Sequence, residues 1–144
     1  MADNQIRFGQ DLEIRVIVHE NVSKGIILEF EFHGIHDHMW PHGKEIYSYL
    51  EKETDKHKPD AVLLNYLQYQ YTFGNELGGT IMIPILNMKE KRIRPCAIVA
   101  DGPTAKSLQS LMVASDIRRT INIEMFGKKE FALEYLERLL SQSP

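Results

Sequence analysis

The stretch from Asp60 to Thr80 most constrains how this chain can fold. It passes from a short apolar run at 61–64 through a polar, aromatic segment into a glycine-rich segment that begins near Gly74. Four consecutive apolar residues without polar alternation are typical of a strand that helices cover on both faces. Pro59 before the run and the polar residues after it leave too few positions for a buried helix. The stretch therefore predicts a strand, a polar turn and the beginning of a helix.

The junction between the predicted strand and helix is the candidate functional segment. Gly74 tolerates backbone angles that are closed to other residues, and Asn75 is a favourable helix N-cap. The free N–H groups of a first helical turn would face this junction, where they can bind a partner or an anion. We therefore look for function at the junction.

Apolar periodicity predicts the elements before this junction. Apolar and polar residues alternate over 12–18 and again over 26–32, which predicts an antiparallel hairpin with one polar face. The segment 44–56 predicts a helix, because Ile46 and Leu50 share one helical face. The chain therefore opens with two strands and a helix.

The elements after the junction continue an alternation of helices and strands. The second helix should run from Asn75 toward Lys91, with a kink or break at 80–84 because Pro84 cannot donate a backbone hydrogen bond. Two further strands and two further helices are predicted in the order strand 94–100, helix after 104, strand 121–126 and helix after 128. The predicted fold class is α/β, a single domain over 1–144 with a mixed, mostly parallel sheet of four to five strands and about four helices.

Composition limits the classes of partner. The 144 residues are 43% hydrophobic and 26% charged, which is ordinary for a soluble domain. A net charge of −3 gives no global reason to bind nucleic acid or an anionic membrane. No apolar run approaches the length of a membrane span, and the first residues lack the layout of a signal peptide. We expect a cytoplasmic protein without nucleic-acid binding or membrane insertion, in which the local basic residues are solvated: Lys89, Lys91, Arg92, Arg94, Arg118 and Arg119.

Cysteine and histidine offer little support for a metal or a reactive thiol. Cys96 is the one cysteine, which excludes an internal disulfide and a cysteine-based zinc site, and its apolar neighbours predict a buried side chain. Four histidines surround Asp37, and imidazoles with a carboxylate suit zinc, nickel or copper. They are His33, His36, His38 and His42. Their spacing matches no zinc motif, so a surface or packing role is favoured, and no metal or cofactor is predicted.

Several features together resemble a STAS domain, the module shared by anti-sigma factor antagonists and the cytoplasmic ends of sulphate transporters. They are the order of elements, the strand at 61–64, the polar turn before Gly74, the helix opening at 75–79, the strand at 97–100 with Gly102-Pro103 after it, and the ending at 123–136. The resemblance covers a core of about 11–140. It implies a noncatalytic protein-interaction module in bacterial signalling.

The resemblance also locates a partner-binding segment. STAS domains that act as phosphorylation switches carry an Asp-Ser-Ser-Gly-like run here, and its aspartate, phosphoacceptor serine, second serine and glycine correspond to Phe73, Gly74, Asn75 and Glu76. No hydroxyl stands at the acceptor position, and Thr72 would be reached only in a different register. Glu76 already supplies a negative charge where a phosphate would be repelled. Residues 72–76 are therefore predicted to dock an anti-sigma kinase-like partner or a second copy of the chain, as a constitutive module or homodimer.

Two other function classes remain open from the sequence. In the first, Tyr66, Tyr69, Tyr71 and the segment 81–86 would line a pocket for a lipid or other small ligand, although core packing explains them more simply. In the second, Asp101 and the histidines would serve an enzyme as acids and bases. No nucleophile, base and orienting group recur in a recognisable arrangement, so we predict no catalytic residue.

Overall fold

A computed structural model of the protein describes residues 4–8, 12–22, 25–36, 43–71, 77–87, 92–119 and 121–142. The elements in chain order are β1 (Asn4–Phe8), β2 (Leu12–Val22), β3 (Gly25–His36), α1 (Gly43–His57), β4 (Ala61–Tyr71), α2 (Leu77–Ile85), β5 (Leu86–Asn87), β6 (Arg92–Ile93), β7 (Cys96–Val99), α3 (Gly102–Ser115), a 3-10 helix (Ile117–Arg119), β8 (Ile123–Phe126) and α4 (Lys129–Gln142).

The described strands form one mixed sheet of six strands and a separate two-stranded ribbon of β5 and β6. The order of the main sheet is β1-β2-β3-β4-β7-β8. Strands β1, β2 and β3 pair antiparallel, whereas β3, β4, β7 and β8 pair parallel, so most of the pairings are parallel. The predicted α/β fold class is confirmed. Strand β1, at the edge of the sheet, was not predicted, because its five residues are too few to show a clear alternation of apolar and polar side chains.

The two faces of the sheet bury different clusters. On one face, α1, α2 and α3 pack over the apolar residues of β2, β3, β4 and β7 to form the larger cluster. On the opposite face, α4 packs on β4, β7 and β8. Strand β4 serves both faces, because Val62 and Leu64 belong to the first cluster and Ala61 and Leu63 to the second. The predicted strand with helices on both faces is confirmed.

Strand β4 is longer than predicted, because the aromatic segment expected to form a turn continues the strand to Tyr71. The pairing of β3 with β4 shifts between Glu31–Asn65 and His33–Gln68, which inserts one extra residue into β4. The inserted residue brings Tyr66 and Tyr69 to the same face, although they stand three positions apart. This bulge breaks the two-residue period by which a strand is recognised in a sequence.

Helix α2 ends earlier than predicted. Its described part starts at Leu77, and Asn75 lies outside the described residues, so the predicted beginning stays a prediction. The helix ends at Ile85, one residue beyond Pro84, rather than continuing toward Lys91. The proline therefore lies in the last turn of the helix, and no kinked continuation follows it.

The prediction that Arg94 is solvated is wrong, because its side chain is fully buried. Its Nε donates a 2.7 Å hydrogen bond to the carbonyl oxygen of Pro59, and its Nη1 donates to the carbonyl oxygen of Pro84 at 3.3 Å. Arg94 thus links the end of α2 to the entry of β4. Buried cations require such partners, and these come from segments remote in the sequence.

Candidate partner-docking site

The parallel strands β3, β4, β7 and β8 point toward one edge of the sheet, which we call the carboxyl edge, and end at His36, Tyr71, Val99 and Phe126. Strands β3 and β4 extend further than the other two, because Val99 at the end of β7 pairs with Asn65 rather than with the last residue of β4. In open α/β sheets, this edge is where binding sites occur most often. The predicted docking residues Thr72, Phe73, Gly74, Asn75 and Glu76 follow Tyr71 directly in the sequence. They lie outside the described residues, so their placement stays a prediction.

The start of α3 is held against the end of β4 at the carboxyl edge. The buried Thr104 hydroxyl donates a 3.1 Å hydrogen bond to the carbonyl oxygen of Tyr69. Gly102 has a φ of 57°, a left-handed conformation that favours glycine, and a Cβ there would meet nothing within 4 Å. Asp101, the N-cap residue, is exposed and makes no side-chain capping hydrogen bond. An exposed carboxylate and an open glycine therefore lie on a backbone that Thr104 anchors.

The start of α4 is held against the sheet by a buried carboxylate on β3. The side chain of Glu29 on β3 is 0% exposed, and its Oε1 accepts contacts of 2.8 Å from both Lys129 Nζ and His19 Nε2. Asn65 Nδ2 donates to the other oxygen at 3.1 Å, while Asn65 Oδ1 accepts the N–H of Leu67 at 3.0 Å. We call these four side chains, Glu29, His19, Asn65 and Lys129, the Glu29 network.

The Glu29 network keeps its central carboxylate ionised. Burial alone would raise the pKa of Glu29, but hydrogen bonds from His19, Lys129 and Asn65, with the charge of Lys129, outweigh burial and hold the pKa below its ordinary value of 4.5. The network joins β2, β3, β4 and the first residue of α4. Its position and chemistry indicate a structural role, which anchors the start of α4 to the sheet.

The histidines do not form a metal site within the described part of the chain. His33 lies in β3 rather than in a loop, and its Nε2 contacts Glu31 Oε1 at 2.7 Å. Among the residues that the structure describes, no group of three or more histidine, cysteine or acidic side chains is placed to hold a metal ion. Asp37, His38 and His42 lie outside those residues.

Cys96 and Asp101 are not brought together. Cys96 is fully buried in the core, as predicted, and burial raises the pKa of its thiol, which makes it a poor nucleophile. Asp101 is exposed at the carboxyl edge. The buried thiol and the exposed carboxylate therefore do not form a shared site.

An apolar pocket of about 310 Å³ lies between α2 and α3. Its lining side chains are almost all aliphatic or methionine. They are Ile81, Met82, Leu111, Met112, Ile117 and Ile121. Ser115 completes the wall, and its hydroxyl donates to the carbonyl oxygen of Met112 at 3.3 Å. The sequence analysis included Ile81 and Met82 in a possible pocket wall, but the contribution of α3 was missed.

The tyrosines expected to line that pocket pack elsewhere. Tyr66 and Tyr69 are 1% and 5% exposed and belong to the larger core cluster. The rings of Tyr66 and Phe32 stack with centroids 4.7 Å apart, and Tyr69 packs at a tilt against both rings. Core packing is therefore confirmed for Tyr66 and Tyr69. The side chain of Tyr71 lies outside the described residues.

Comparison with known proteins identifies the fold. An anti-sigma factor antagonist from Mycobacterium paratuberculosis matches with a TM-score of 0.56 and 14% identity, over 85% of this chain and 93% of that one. An uncharacterized protein of the DUF3478 family with a SpoIIAA-like fold, from Shewanella loihica, matches with a TM-score of 0.57 and 14% identity, over 91% of this chain and 99% of that one. No family model matches the chain, and no curated protein matches it at a significant level.

These structural matches show that the chain has the fold shared by an anti-sigma factor antagonist and a SpoIIAA-like protein. The resemblance to STAS domains that the sequence predicted is confirmed at the level of the fold. Within the described residues, no helix combines the length and the apolar character needed to cross a bilayer.

Proposed function

We propose that this protein is a noncatalytic protein-interaction module whose partner docks on residues 72–76. The observation that carries the proposal is the STAS-like fold, shared with an anti-sigma factor antagonist. In this fold, the segment from Thr72 to Glu76 connects the end of β4 to the start of α2. Proteins named as antagonists of another protein act by binding it, and this chain is proposed to do the same in the bacterial cytoplasm.

The chemistry of the segment suits constitutive docking. Phe73 is an aromatic residue next to a glycine, and buried aromatic anchors often dominate interface energies. Glu76 adds a negative charge near the start of α2, and the position of the usual phosphoacceptor serine holds glycine. The proposed partner is an anti-sigma kinase-like protein or a second copy of this chain, bound without prior phosphorylation.

The described end of β4, which precedes the segment in the chain, is fixed to the start of α3. The Thr104 hydroxyl makes this contact by donating a hydrogen bond to the carbonyl oxygen of Tyr69. A preorganised surface loses less conformational freedom when a partner binds, so less of the interaction energy is spent on ordering. The buried Cys96 and the exposed Asp101 are consistent with a module that lacks catalytic activity.

Recovery of partners with two variants tests the docking proposal. Tagged wild-type protein, Phe73→Ala and Glu76→Lys would each be used to recover partners from cells of the source organism. We expect both variants to lose the recovered partner by more than tenfold, because one removes the anchor and the other reverses the charge. A shift of the wild type to dimer in light scattering, absent from both variants, would identify the second copy as the partner.

Matched controls separate docking from folding. Val113→Ala and Glu137→Lys repeat the two changes at exposed positions of α3 and α4. Val113 stands eleven residues into α3, about 16 Å along the helix from its start at the carboxyl edge. Both controls should retain the partner, and all variants should keep the wild-type circular dichroism. Undiminished recovery by both folded test variants would place the interface elsewhere.

A second candidate function is the binding of a small apolar ligand, favoured by the pocket between α2 and α3. Its volume of about 310 Å³ is at the lower end of the range for ligand sites, and its lining is predominantly hydrophobic. Native mass spectrometry of the purified protein tests this candidate, because a retained ligand adds a defined mass. Loss of that mass in a Ser115→Trp variant, which fills the pocket, would locate the ligand there.

A further inference from the structure

Asn65 is a buried polar residue within β4. It is 5% exposed and stands between Leu64 and Tyr66, although asparagine is depleted in strands. Its Nδ2 donates a 3.1 Å hydrogen bond to Oε2 of Glu29, and its Oδ1 accepts the backbone N–H of Leu67 at 3.0 Å. A side-chain bond to the backbone two positions ahead competes with the regular ladder of a sheet. Asn65 therefore favours an irregular backbone at this point of β4.

The bulge of β4 lies directly after Asn65. The pairing with β3 passes from Glu31–Asn65 to His33–Gln68, so β4 has one residue more than β3 in this interval. A bulge leaves the extra residue without its regular ladder partner. The N–H of Leu67, within the same interval, donates to the Asn65 side chain. Asn65 thus supplies an acceptor that allows β4 to carry the extra residue without an unsatisfied donor.

The carboxylate of Glu29 fixes which end of the Asn65 amide faces Leu67. An ionised carboxylate accepts hydrogen bonds but cannot donate them, so it pairs with the amide nitrogen of Asn65 and leaves the amide oxygen for the N–H of Leu67. Lys129, the first residue of α4, contacts the same carboxylate at 2.8 Å. A continuous set of contacts therefore joins the start of α4 to the bulge in β4.

The bulge sets the direction and the position of the end of β4. With the extra residue in place, Tyr69 pairs with Gly34 and packs in the larger core cluster. If β4 continued from Asn65 without a bulge, Tyr69 would lie opposite Ile35, on the other face of the sheet. The end of β4 would also shift by one residue along β3, or about 3.3 Å. The bulge therefore determines how the chain leaves the sheet after Tyr71.

We propose that Asn65 is a positioning residue for partner docking, because it holds the bulge in β4 and so determines where the docking segment 72–76 begins. Asn65 is too buried to contact a partner itself, so it acts through the backbone of β4. The inference rests on the proposed function at residues 72–76 and adds a residue that controls how this segment is presented.

The pairing of β4 with β3 is measured first, without any partner. NMR spectra of the isotopically labelled full chain report the backbone contacts between His33 and Gln68 and the exchange rate of the Leu67 amide. Asn65→Ala removes the acceptor, so the Leu67 amide should exchange faster by about tenfold or more, relative to the amides of β7. Contacts between His33 and Leu67, which belong to the pairing without a bulge, should appear.

A reciprocal replacement of two side chains is the matched control. In the double variant Asn65→Asp/Glu29→Gln, the carboxylate and the amide trade positions, so an acceptor still faces Leu67 and a hydrogen bond can still join positions 29 and 65. This variant should keep the contacts between His33 and Gln68, whereas Asn65→Ala should lose part of them. A general loss of stability would not distinguish the two variants in this way.

Partner recovery then connects the pairing to docking. Tagged Asn65→Ala should recover the partner several-fold less than the wild type, and the double variant should recover it at nearly the wild-type level. Deletion of Leu67 removes the extra residue and keeps the pairs on either side of it, so Asn65→Ala should have no further effect on recovery in that background. If the deletion variant loses its wild-type circular dichroism, the double variant supplies the comparison.

The outcomes separate this inference from the proposed function. Unchanged contacts between His33 and Gln68, with unchanged exchange at Leu67, would overturn the role of Asn65 in the bulge. A changed pairing with undiminished partner recovery would overturn its role in docking. If the two test variants of the docking segment leave recovery unchanged, docking at residues 72–76 fails, while the NMR measurement still decides whether Asn65 holds the bulge.

Discussion

The two faces of the central sheet are stabilised by different physical means. The face under α1, α2 and α3 is a continuous apolar cluster in which Phe32, Tyr66 and Tyr69 pack ring against ring. The opposite face is apolar where α4 covers β4 and β7, but beside that cluster it buries the charged Glu29 network. The face under α1, α2 and α3 is stabilised by the burial of apolar surface. The face under α4 is stabilised in the same way, but it also requires that the buried charge of Glu29 keeps its partners.

This difference indicates which buried positions should tolerate amino-acid substitution and which should not. Apolar packing is non-directional, so similar side chains of equal volume can substitute for one another on the first face. A buried carboxylate requires that each partner stays in place, because loss of one partner leaves charge without compensation. The Glu29 network should therefore resist even conservative substitution.

The largest effect should come from opening the apolar face. Phe32→Ala removes a fully buried ring that stacks on Tyr66. The resulting cavity should lower the free energy of unfolding by about 3–5 kcal/mol. Urea denaturation followed by circular dichroism measures this value, and Phe32→Leu should recover much of the loss. A cost below about 1 kcal/mol would show that the ring is not packed as described.

The next effect should come from neutralising the buried carboxylate. Glu29→Gln preserves the size of the side chain but removes the charge that Lys129 and His19 contact at 2.8 Å. We expect a loss of about 2 kcal/mol at pH 7, less than for a wholly buried pair because Lys129, 35% exposed, can regain water. The matched control Glu31→Gln, at a part-exposed position of the same strand, should cost less in the same urea measurement.

The pH dependence of that loss tests its electrostatic origin. The pKa of Glu29 is lowered in the folded protein, so its stabilisation is fully present above the unfolded pKa of about 4.5 and declines as the pH falls through the folded pKa. The stability difference between the wild type and Glu29→Gln should therefore shrink as the pH falls below about 4.5. A difference that does not change at low pH would attribute the loss to packing instead.

The smallest effect should come from an ion pair that is exposed on both sides, at the end of α3. Arg119 contacts Asp116 at 3.3 Å, and the two side chains are 80% and 62% exposed. Exposed ion pairs contribute little, so Arg119→Ala should change the free energy of unfolding by no more than about 0.5–1 kcal/mol. The same urea measurement checks this. A loss as large as that of Glu29→Gln would mean that burial is not what distinguishes the two sites.

Local patterns predicted the elements whose residues alternate or cluster within a few positions. The alternation at 12–18 and 26–32 predicted β2 and β3, and Ile46 with Leu50 predicted α1. The apolar run at 61–64 predicted the buried part of β4. These predictions succeeded because burial leaves a local pattern in the sequence. A strand buried on one face alternates apolar and polar residues, a strand buried on both faces has a continuous apolar run, and a helix repeats apolar residues every three or four positions.

Features that depend on distant residues were not predictable in this way. The partners of Arg94 are the carbonyl oxygens of Pro59 and Pro84, which no local pattern connects to it. Glu29 alternates with apolar neighbours like a surface residue of β3, and only the start of α4 brings Lys129 to it. For the candidate docking site, the sequence predicted the strand before it and the helix after it.

The central claim, that a partner docks on residues 72–76, is tested most directly by hydrogen–deuterium exchange of the wild-type protein with and without its recovered partner. We predict slower exchange in peptides that contain residues 72–76 and 100–104, with no change in β2 and β3. Protection confined to any other surface, with residues 72–76 exchanging at the same rate in both states, would contradict the account.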